Sequence, residues 1–269
     1  MSATAPVEKT QEYKLTLPDV DHCPSQDQEW CIVKTDKGSQ RIRFHDYGKI
    51  FRIRGLYEEL FYDTLECCSP TVVCDLLEIA IEKSESDHDV ESLKVLDVGA
   101  GNGMVGEELI SRGVDEVVGI DLIPEAAEAA QRDRPDVYSA YYVEDLTDMS
   151  GKSRRALENK DFNCLTTVAA LGFGDIPPEA FSEAFNLVED GGWVAFNIRD
   201  RFLETDESSG FSRLIERMIE EGVLDDVERR KYRHRLSVNG EPLYYYALAA
   251  RKTADIPAVW LEEVEQSVA

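Results

Sequence analysis

Three carboxylates, Asp97, Asp121 and Asp145, each lie at or just past the end of a short apolar run. The first run continues at once into Gly99-Ala100-Gly101-Asn102-Gly103. A strand that breaks into alternating glycines and re-enters a helix brings bare backbone N–H groups against a ligand. The helix-like run follows at Glu107-Glu108-Leu109-Ile110. Asp97 sits beside the glycines, where a pyrophosphate would be repelled. A ligand carrying an ammonium and a sulfonium would be attracted there, directly or through water. Asp121 closes Val117-Val118-Gly119-Ile120, where an acid can hold ribose hydroxyls, and Leu122 beside it can pack on an adenine face. Glu144 and Asp145 follow Tyr141-Tyr142-Val143. Asp145 can accept from an adenine amino group while the backbone amide of Leu146 donates to the ring. In a parallel sheet these strand ends share one edge, where ligands bind.

Two ligands compete for that edge. Gly101, Gly103 and Gly106 spell G-x-G-x-x-G, and an acid follows roughly twenty residues on, as a dinucleotide site requires. That pattern alone is weak. The wider spelling D-x-G-x-G-x-G, with acids after three successive strands, favours S-adenosylmethionine. The bland alternative, a tight strand-to-helix turn, does not account for the later acids.

The elements that must position these groups are legible in outline. The α/β body starts near Leu93. Helices are expected over Pro124 to Arg132, Pro178 to Leu187 and Ser212 to Glu221, the last with Leu214, Ile215, Met218 and Ile219 on one side. Strands are expected at Phe162 to Ala169 and, after Gly191-Gly192, at Trp193 to Asn197. Arg235 to Val238, Asn239-Gly240 and Leu243 to Ala249 read as a terminal hairpin with a type I′ turn. Upstream, Trp30 to Val33 and Arg41 to Phe44 suit a second hairpin around Thr35 to Gly38. Tyr57 to Leu65 and Val72 to Lys83 read as helices, with Ser69-Pro70 starting the second and Ser84 to His88 a polar link. Residues 1–28 are expected as a polar arm, 29–90 as an N-terminal cap, and 91–269 as the catalytic domain.

With D-x-G-x-G-x-G, Gly119-Ile120-Asp121-Leu122 and Glu144-Asp145-Leu146 in place, the chain resembles the class I S-adenosylmethionine-dependent methyltransferases. Val105 to Leu109, Asp145 to Asp148 and Ile176 to Ala180 are similar to segments of the methyltransferase-like proteins related to the one from the Williams–Beuren syndrome region. The resemblance runs from about Tyr57 to Lys252. It implies a doubly wound α/β fold: a mostly parallel, seven-stranded, Rossmann-like sheet ending in an antiparallel hairpin. It also implies methyl transfer with S-adenosylmethionine as cofactor. The expected cofactor residues are Tyr57, Asp97, Gly99, Ala100, Gly101, Asn102, Gly103, Asp121, Leu122, Glu144, Asp145, Leu146 and Ala169. The chain departs from the pattern at Asn163, where an acid is usual. It lacks the Asn-Pro-Pro-Tyr of amino-methylating nucleic-acid and glutamine enzymes, and the Pro-Cys pair of cytosine enzymes.

Composition narrows the partners. Fifty-four acidic residues against 29 basic ones give a formal net charge of −25. Such a field repels nucleic-acid phosphate and anionic membranes; solubility or a saline cytoplasm accounts for it most simply. No apolar run reaches bilayer length. Met1 to Lys14 lacks a basic start followed by an apolar stretch, so the expected compartment is the cytoplasm. The six cysteines show no metal spacing and are expected to be free thiols. A sulfonium methyl is already activated, so the protein need only hold the acceptor in line, exclude water and sometimes remove a proton. No catalytic residue is assigned. Arg199, Asp200, Arg201, Tyr142, His45 and Tyr47 are candidates to orient or deprotonate the acceptor. His234 is expected at the surface and Tyr244-Tyr245-Tyr246 as packing on an edge hairpin. The reading is methyl transfer to a small molecule. Transfer to a protein side chain and a silent cofactor-binding module are the alternatives, and a dehydrogenase comes last. The aromatics between Trp30 and Tyr62 are expected to cap the cofactor, with Tyr57 near its methionine end.

Overall fold

The computed structural model describes residues 13–19, 24–84, 89–171, 175–200 and 210–268. Seven strands form the main sheet: β4 (Lys94–Val98), β5 (Glu116–Asp121), β6 (Ala140–Val143), β7 (Phe162–Thr167), β8 (Val188–Arg199), β9 (Leu224–Leu236) and β10 (Pro242–Lys252). Their order is β6-β5-β4-β7-β8-β10-β9. Pairing is parallel from β6 to β8, and β10 runs antiparallel to both β8 and β9. A dinucleotide domain of the order 3-2-1-4-5-6 has no such inserted reversed strand.

The central strands are apolar on both faces, as covered parallel strands must be. Val95 and Val117 face one core with Leu77, Trp193 and Ala247. Their neighbours Leu96 and Val118 face the other, with Phe181, Phe185, Phe196, Phe211 and Leu214. The first core is covered by α3 (Ser69–Lys83) and α4 (Met104–Ser111). The second is covered by α7 (Pro178–Phe185), α8 (Phe211–Glu220) and Trp260 of α9 (Ala258–Val268). Two further helices, α5 (Pro124–Asp133) and α6 (Gly151–Glu158), follow β5 and precede β7.

The N-terminal segment is a separate small layer. β1 (Lys14–Thr16), β2 (Trp30–Thr35) and β3 (Gly38–Arg43) form an antiparallel sheet in that order. α1 (Tyr47–Phe51) and α2 (Leu56–Glu58) follow. Cys31, Val33, Ile42, Phe44, Ile50, Leu56 and Leu60 make its core, joined by Val238 from the distant β9–β10 turn. Phe51 packs on Ala126 and Ala129 of α5. Buried Glu29 pairs with Arg235 and accepts the Val238 N–H at 2.8 Å, tying the layer to the end of β9.

Several boundaries differ from the sequence reading. The supposed arm contributes β1, because Leu15 pairs opposite Val33. Glu59–Thr64 is a π-helix, a form common near functional sites. β8 begins at Val188, ahead of the glycine pair, and Gly191 takes φ 88° within it. The terminal turn is not type I′, because Asn239 keeps a negative φ. Gly240 alone is left-handed at 82°, its N–H donates to the Ser237 carbonyl at 2.9 Å, and Ser237 N–H donates to Glu241. That is a type I turn with a glycine bulge. Most of the expected link Ser84 to His88 lies outside the described residues. Cys31, Cys67, Cys68, Cys74 and Cys164 are free thiols. No described helix is long and apolar enough to cross a membrane.

Candidate active site

A crevice of about 440 Å³ runs across the carboxyl ends of the parallel strands, at the point where strand order reverses between β4 and β7. Val98, Gly99 and Gly101 line it after β4, Asp121 to Ile123 after β5, Glu144 to Thr147 after β6, and Val168 to Ala170 after β7. Tyr47, Phe51 and Tyr57 close it from the N-terminal layer. Its size falls in the roughly 300–1,000 Å³ range of small-ligand clefts.

The glycine turn is built for contact by backbone. Gly99, Gly101 and Gly103 take φ of 70°, 54° and 93°. A Cβ on Gly101 would sit 3.3 Å from the Phe51 ring, and one on Gly99 would sit 3.1 Å from Ala170 and Ile176. Asp121 holds the turn from the neighbouring strand. One carboxylate oxygen accepts the Gly101 N–H at 3.0 Å and the other the Ile123 N–H at 3.1 Å. Each oxygen keeps a second lone pair for a ligand hydroxyl. Burial raises the Asp121 pKa against the lowering effect of those N–H groups.

The other expected residues divide. Leu122 is 59% exposed although apolar, and it borders the crevice. Asp145 spends one oxygen on the Thr147 N–H and hydroxyl, and those bonds lower its pKa. Glu144 accepts from the Ser153 hydroxyl. Leu146 buries its side chain beside them. Tyr57 and Ala169 line both this crevice and a smaller cavity behind it. Ala100 and Asn102 line only the smaller one. Asn102 donates to Glu58 at 2.7 Å, locking the glycine turn to the N-terminal layer. Gly103 borders neither cavity; it starts α4 against Arg134 and Tyr138.

Asp97 is turned away from both cavities, contrary to the expected ligand contact. It is 1% exposed and accepts hydroxyls from Tyr138 at 2.7 Å and Thr166 at 2.8 Å. Burial pushes its pKa up to about 7, despite those two donors. Its role in this geometry is to brace the strand beneath the glycines. A pH signature follows. Near pH 4 and below, folded and unfolded chains both hold this proton. Between about pH 4 and 7 only the folded chain keeps it, so this contribution to stability fades as pH rises through 7. Asp97→Asn stays neutral throughout. From pH 5 to pH 8 the variant should gain on the order of 2 kcal/mol relative to the wild type in urea unfolding. A gap that does not change with pH would show that Asp97 is ionised in the fold.

The smaller cavity, about 60 Å³, shares the wall at Gly99, Gly101 and Ala169. Phe44, Tyr57, Phe61, Tyr62 and Tyr245 give it aromatic sides, and His234, Gln26 and Cys67 give it polar ones. One residue here, His234, overturns expectation. His234 is 4% exposed, its Nδ1 lies 2.6 Å from the Ser69 hydroxyl, and burial with Arg235 and Arg199 nearby drives its pKa well below 6.5. Tyr245 is buried on β10, an interior strand, with its ring 4.1 Å from that of His234. His45 lies at the rim, 3.0 Å from Asp175. Tyr142 packs in the core, Asp200 pairs with Lys231, and Arg201 lies outside the described residues. Phe51, Thr147, Asp175, Gln26 and Tyr245 line the cavities without having been singled out as site residues. Only Phe51, within the N-terminal aromatic set, carried a signal.

Residues 70–236 match the family described as Methyltransferase domain. The ubiquinone biosynthesis O-methyltransferase of Chromobacterium violaceum is 33% identical over 114 residues, covering 40% of this chain and 45% of that protein. The protein of the same description from Thiobacillus denitrificans is 32% identical over 108 residues, with coverage of 40% and 45%. The chain spans about half the length of the curated relatives it matches. Among solved structures, the N-methyltransferase NodS from Bradyrhizobium japonicum WM9, in complex with S-adenosyl-l-homocysteine, superposes with a TM-score of 0.52. Its identity is 14%, covering 78% of this chain and 98% of that one, a likeness of fold.

Proposed function

The chain belongs to the methyltransferase-domain family and is an S-adenosylmethionine-dependent enzyme, and from that premise we propose that it methylates a small-molecule acceptor held beneath its N-terminal layer. The observation that carries this reading is the small cavity of about 60 Å³ that shares a wall with the crevice at Gly99 and Ala169. Its aromatic walls leave room for a small group and none for a protein backbone. The relatives named as O-methyltransferases favour an oxygen acceptor. The finer likeness to the Williams–Beuren-related proteins, through Val105 to Leu109 and Ile176 to Ala180, belongs to this reading as well.

S-adenosylmethionine supplies a methyl group already activated by its sulfonium. The rest is the protein's work. Asp121 holds the ribose hydroxyls on its remaining lone pairs, and Leu122 packs on the adenine. Asp145 and the Leu146 N–H read the adenine edge. The Gly99–Gly101 backbone and Tyr57 would hold the methionine end. Phe51, Tyr57 and Tyr47 exclude water, so the acceptor meets the methyl group in a dry cavity. Deleting the chain through Leu65 removes that closure, and both cofactor affinity and transfer should fall.

The test is incorporation of label from methyl-tritiated cofactor, offered a small-molecule extract and the protein fraction of the same cells. Label is expected in the small-molecule fraction. Label in protein would make this a protein methyltransferase. Cofactor binding without label in either fraction would make it a silent module.

A further inference from the structure

A hydrogen-bond chain runs from the cofactor crevice to the far end of the small cavity, and its proton count can be closed. The Asn197 side-chain oxygen accepts the Ala169 N–H at 2.6 Å, which fixes the orientation of the amide. Its NH₂ therefore donates, to Ser69 Oγ at 3.1 Å and to the Tyr232 oxygen at 2.6 Å. Ser69 and Tyr232 lie 2.7 Å apart and share one further hydrogen. Ser69 Oγ also lies 2.6 Å from His234 Nδ1, and Cys67 Sγ lies 3.8 Å from the same nitrogen. If Ser69 donated to Tyr232, the Tyr232 proton would be left without a partner among the described residues. If Tyr232 donates to Ser69 and Ser69 to Nδ1, every hydroxyl proton is used. Nδ1 is thus an acceptor, and the single proton of the neutral ring sits on Nε2.

Nε2 makes no hydrogen bond within the described residues, and His234 lines the cavity. A second observation at the same place points to a ligand. Gln26 is 6% exposed; its amide NH₂ donates to the Tyr245 hydroxyl at 2.7 Å, and its carbonyl oxygen is left buried without a partner. The ring of Tyr245 in turn lies against that of His234. A buried polar group without a partner is costly, so the Gln26 oxygen calls for a ligand donor, such as a second hydroxyl of the acceptor, in the cavity that His234 also lines.

We infer that His234 presents its Nε2–H to an ionised oxygen of the methyl acceptor, which makes the acceptor an acidic hydroxyl, such as a phenol or enol, or a carboxylic acid. This rests on the methyl-transfer reading above and names its acceptor class. The surroundings agree. Arg199, and Arg235 although paired with Glu29, oppose a proton on the imidazole. Burial first, and those cations after it, make His234 a poor base, so it binds the acceptor rather than deprotonating it. The step balances without a proton at this site: an oxygen lone pair of the anion forms the new O–C bond, and the C–S bonding pair returns to sulfur. An amine acceptor, which must present a lone pair and lose a proton, would meet a donor where it needs an acceptor.

The test uses the full chain labelled with ¹⁵N-histidine and needs no turnover. Long-range ¹H–¹⁵N spectra should show one histidine, absent from His234→Gln, that stays neutral from pH 5 to pH 8 with its proton on Nε2. Formate should shift that Nε2 resonance saturably in the presence of S-adenosylhomocysteine, and methylammonium should not. Ser69→Ala, which removes the hydroxyl facing Nδ1, should let the Nδ1-protonated form appear, and this variant reports on the network even if His234→Gln fails to fold. A proton on Nδ1 in the wild type, titration near pH 6.5, no response to formate, or a response to methylammonium would each overturn the assignment. None of these outcomes touches whether label is transferred to a small molecule, so the two readings fail separately.

Discussion

Asp121→Ala should weaken binding of S-adenosylmethionine about a hundredfold, the equivalent of roughly 2–3 kcal/mol for hydrogen bonds to a charged group lost together. Two losses add here. The proposed ribose contacts go with the carboxylate, and so do its bonds to the Gly101 and Ile123 N–H groups, which hold the glycine turn against β5. The fold should survive, because the residue stands at a strand end and contributes no apolar packing. Asp121→Asn keeps one acceptor oxygen and should fall between the two. Calorimetry on both variants gives the affinities, and far-ultraviolet circular dichroism checks the fold. An unchanged affinity in Asp121→Ala would mean that the ribose lies elsewhere.

Glu29→Ala should cost about 3–5 kcal/mol of stability, the range for a buried ion pair broken on one side. Glu29 is 0% exposed and Arg235 is 3% exposed, so the guanidinium left behind could not reach water without opening the N-terminal layer. Glu29 also accepts the Val238 N–H, which would lose its partner. The pair is no net gain over apolar packing, however. Replacing both, as Glu29→Leu with Arg235→Met, should recover most of the loss. Urea unfolding of the single and double variants checks this. A single variant within 1 kcal/mol of wild type would show that the layer does not depend on this clamp.

The sheet was legible because its strands carry continuous apolar runs ended by glycine or acid, and those signals are local. The position of Asp121 and Leu122 at the crevice is readable for the same reason: both stand at a strand end on the edge where the chain turns. Asp97 was not. Lys94–Val98 is covered on both faces, so alternation could not say which way its acid points, and its partners Tyr138 and Thr166 lie on other elements. His234 looked like a surface residue because Arg233 and Arg235 flank it. On a strand, alternate residues face opposite sides, and Arg233 reaches exposed Glu66 while His234 turns under Ser69. Tyr245 packs within the edge hairpin as read, on its inner strand β10, with β9 outermost. The Asn239-Gly240 hairpin was found, but its turn type was set by a five-residue connection that the dipeptide alone does not reveal. The aromatic N-terminal segment could be read as a cover, yet Gln26 entering the cavity depends on a contact with Tyr245 that no local pattern encodes.

The most direct measurement is calorimetric titration of the full chain with S-adenosylmethionine and, in the same buffer, with NAD. The acids after β5 and β6, the reversed strand β10 and the aromatic cover together call for S-adenosylmethionine binding in the micromolar range, roughly −8 kcal/mol, with no heat from NAD. NAD binding without S-adenosylmethionine binding would contradict the assignment of the crevice.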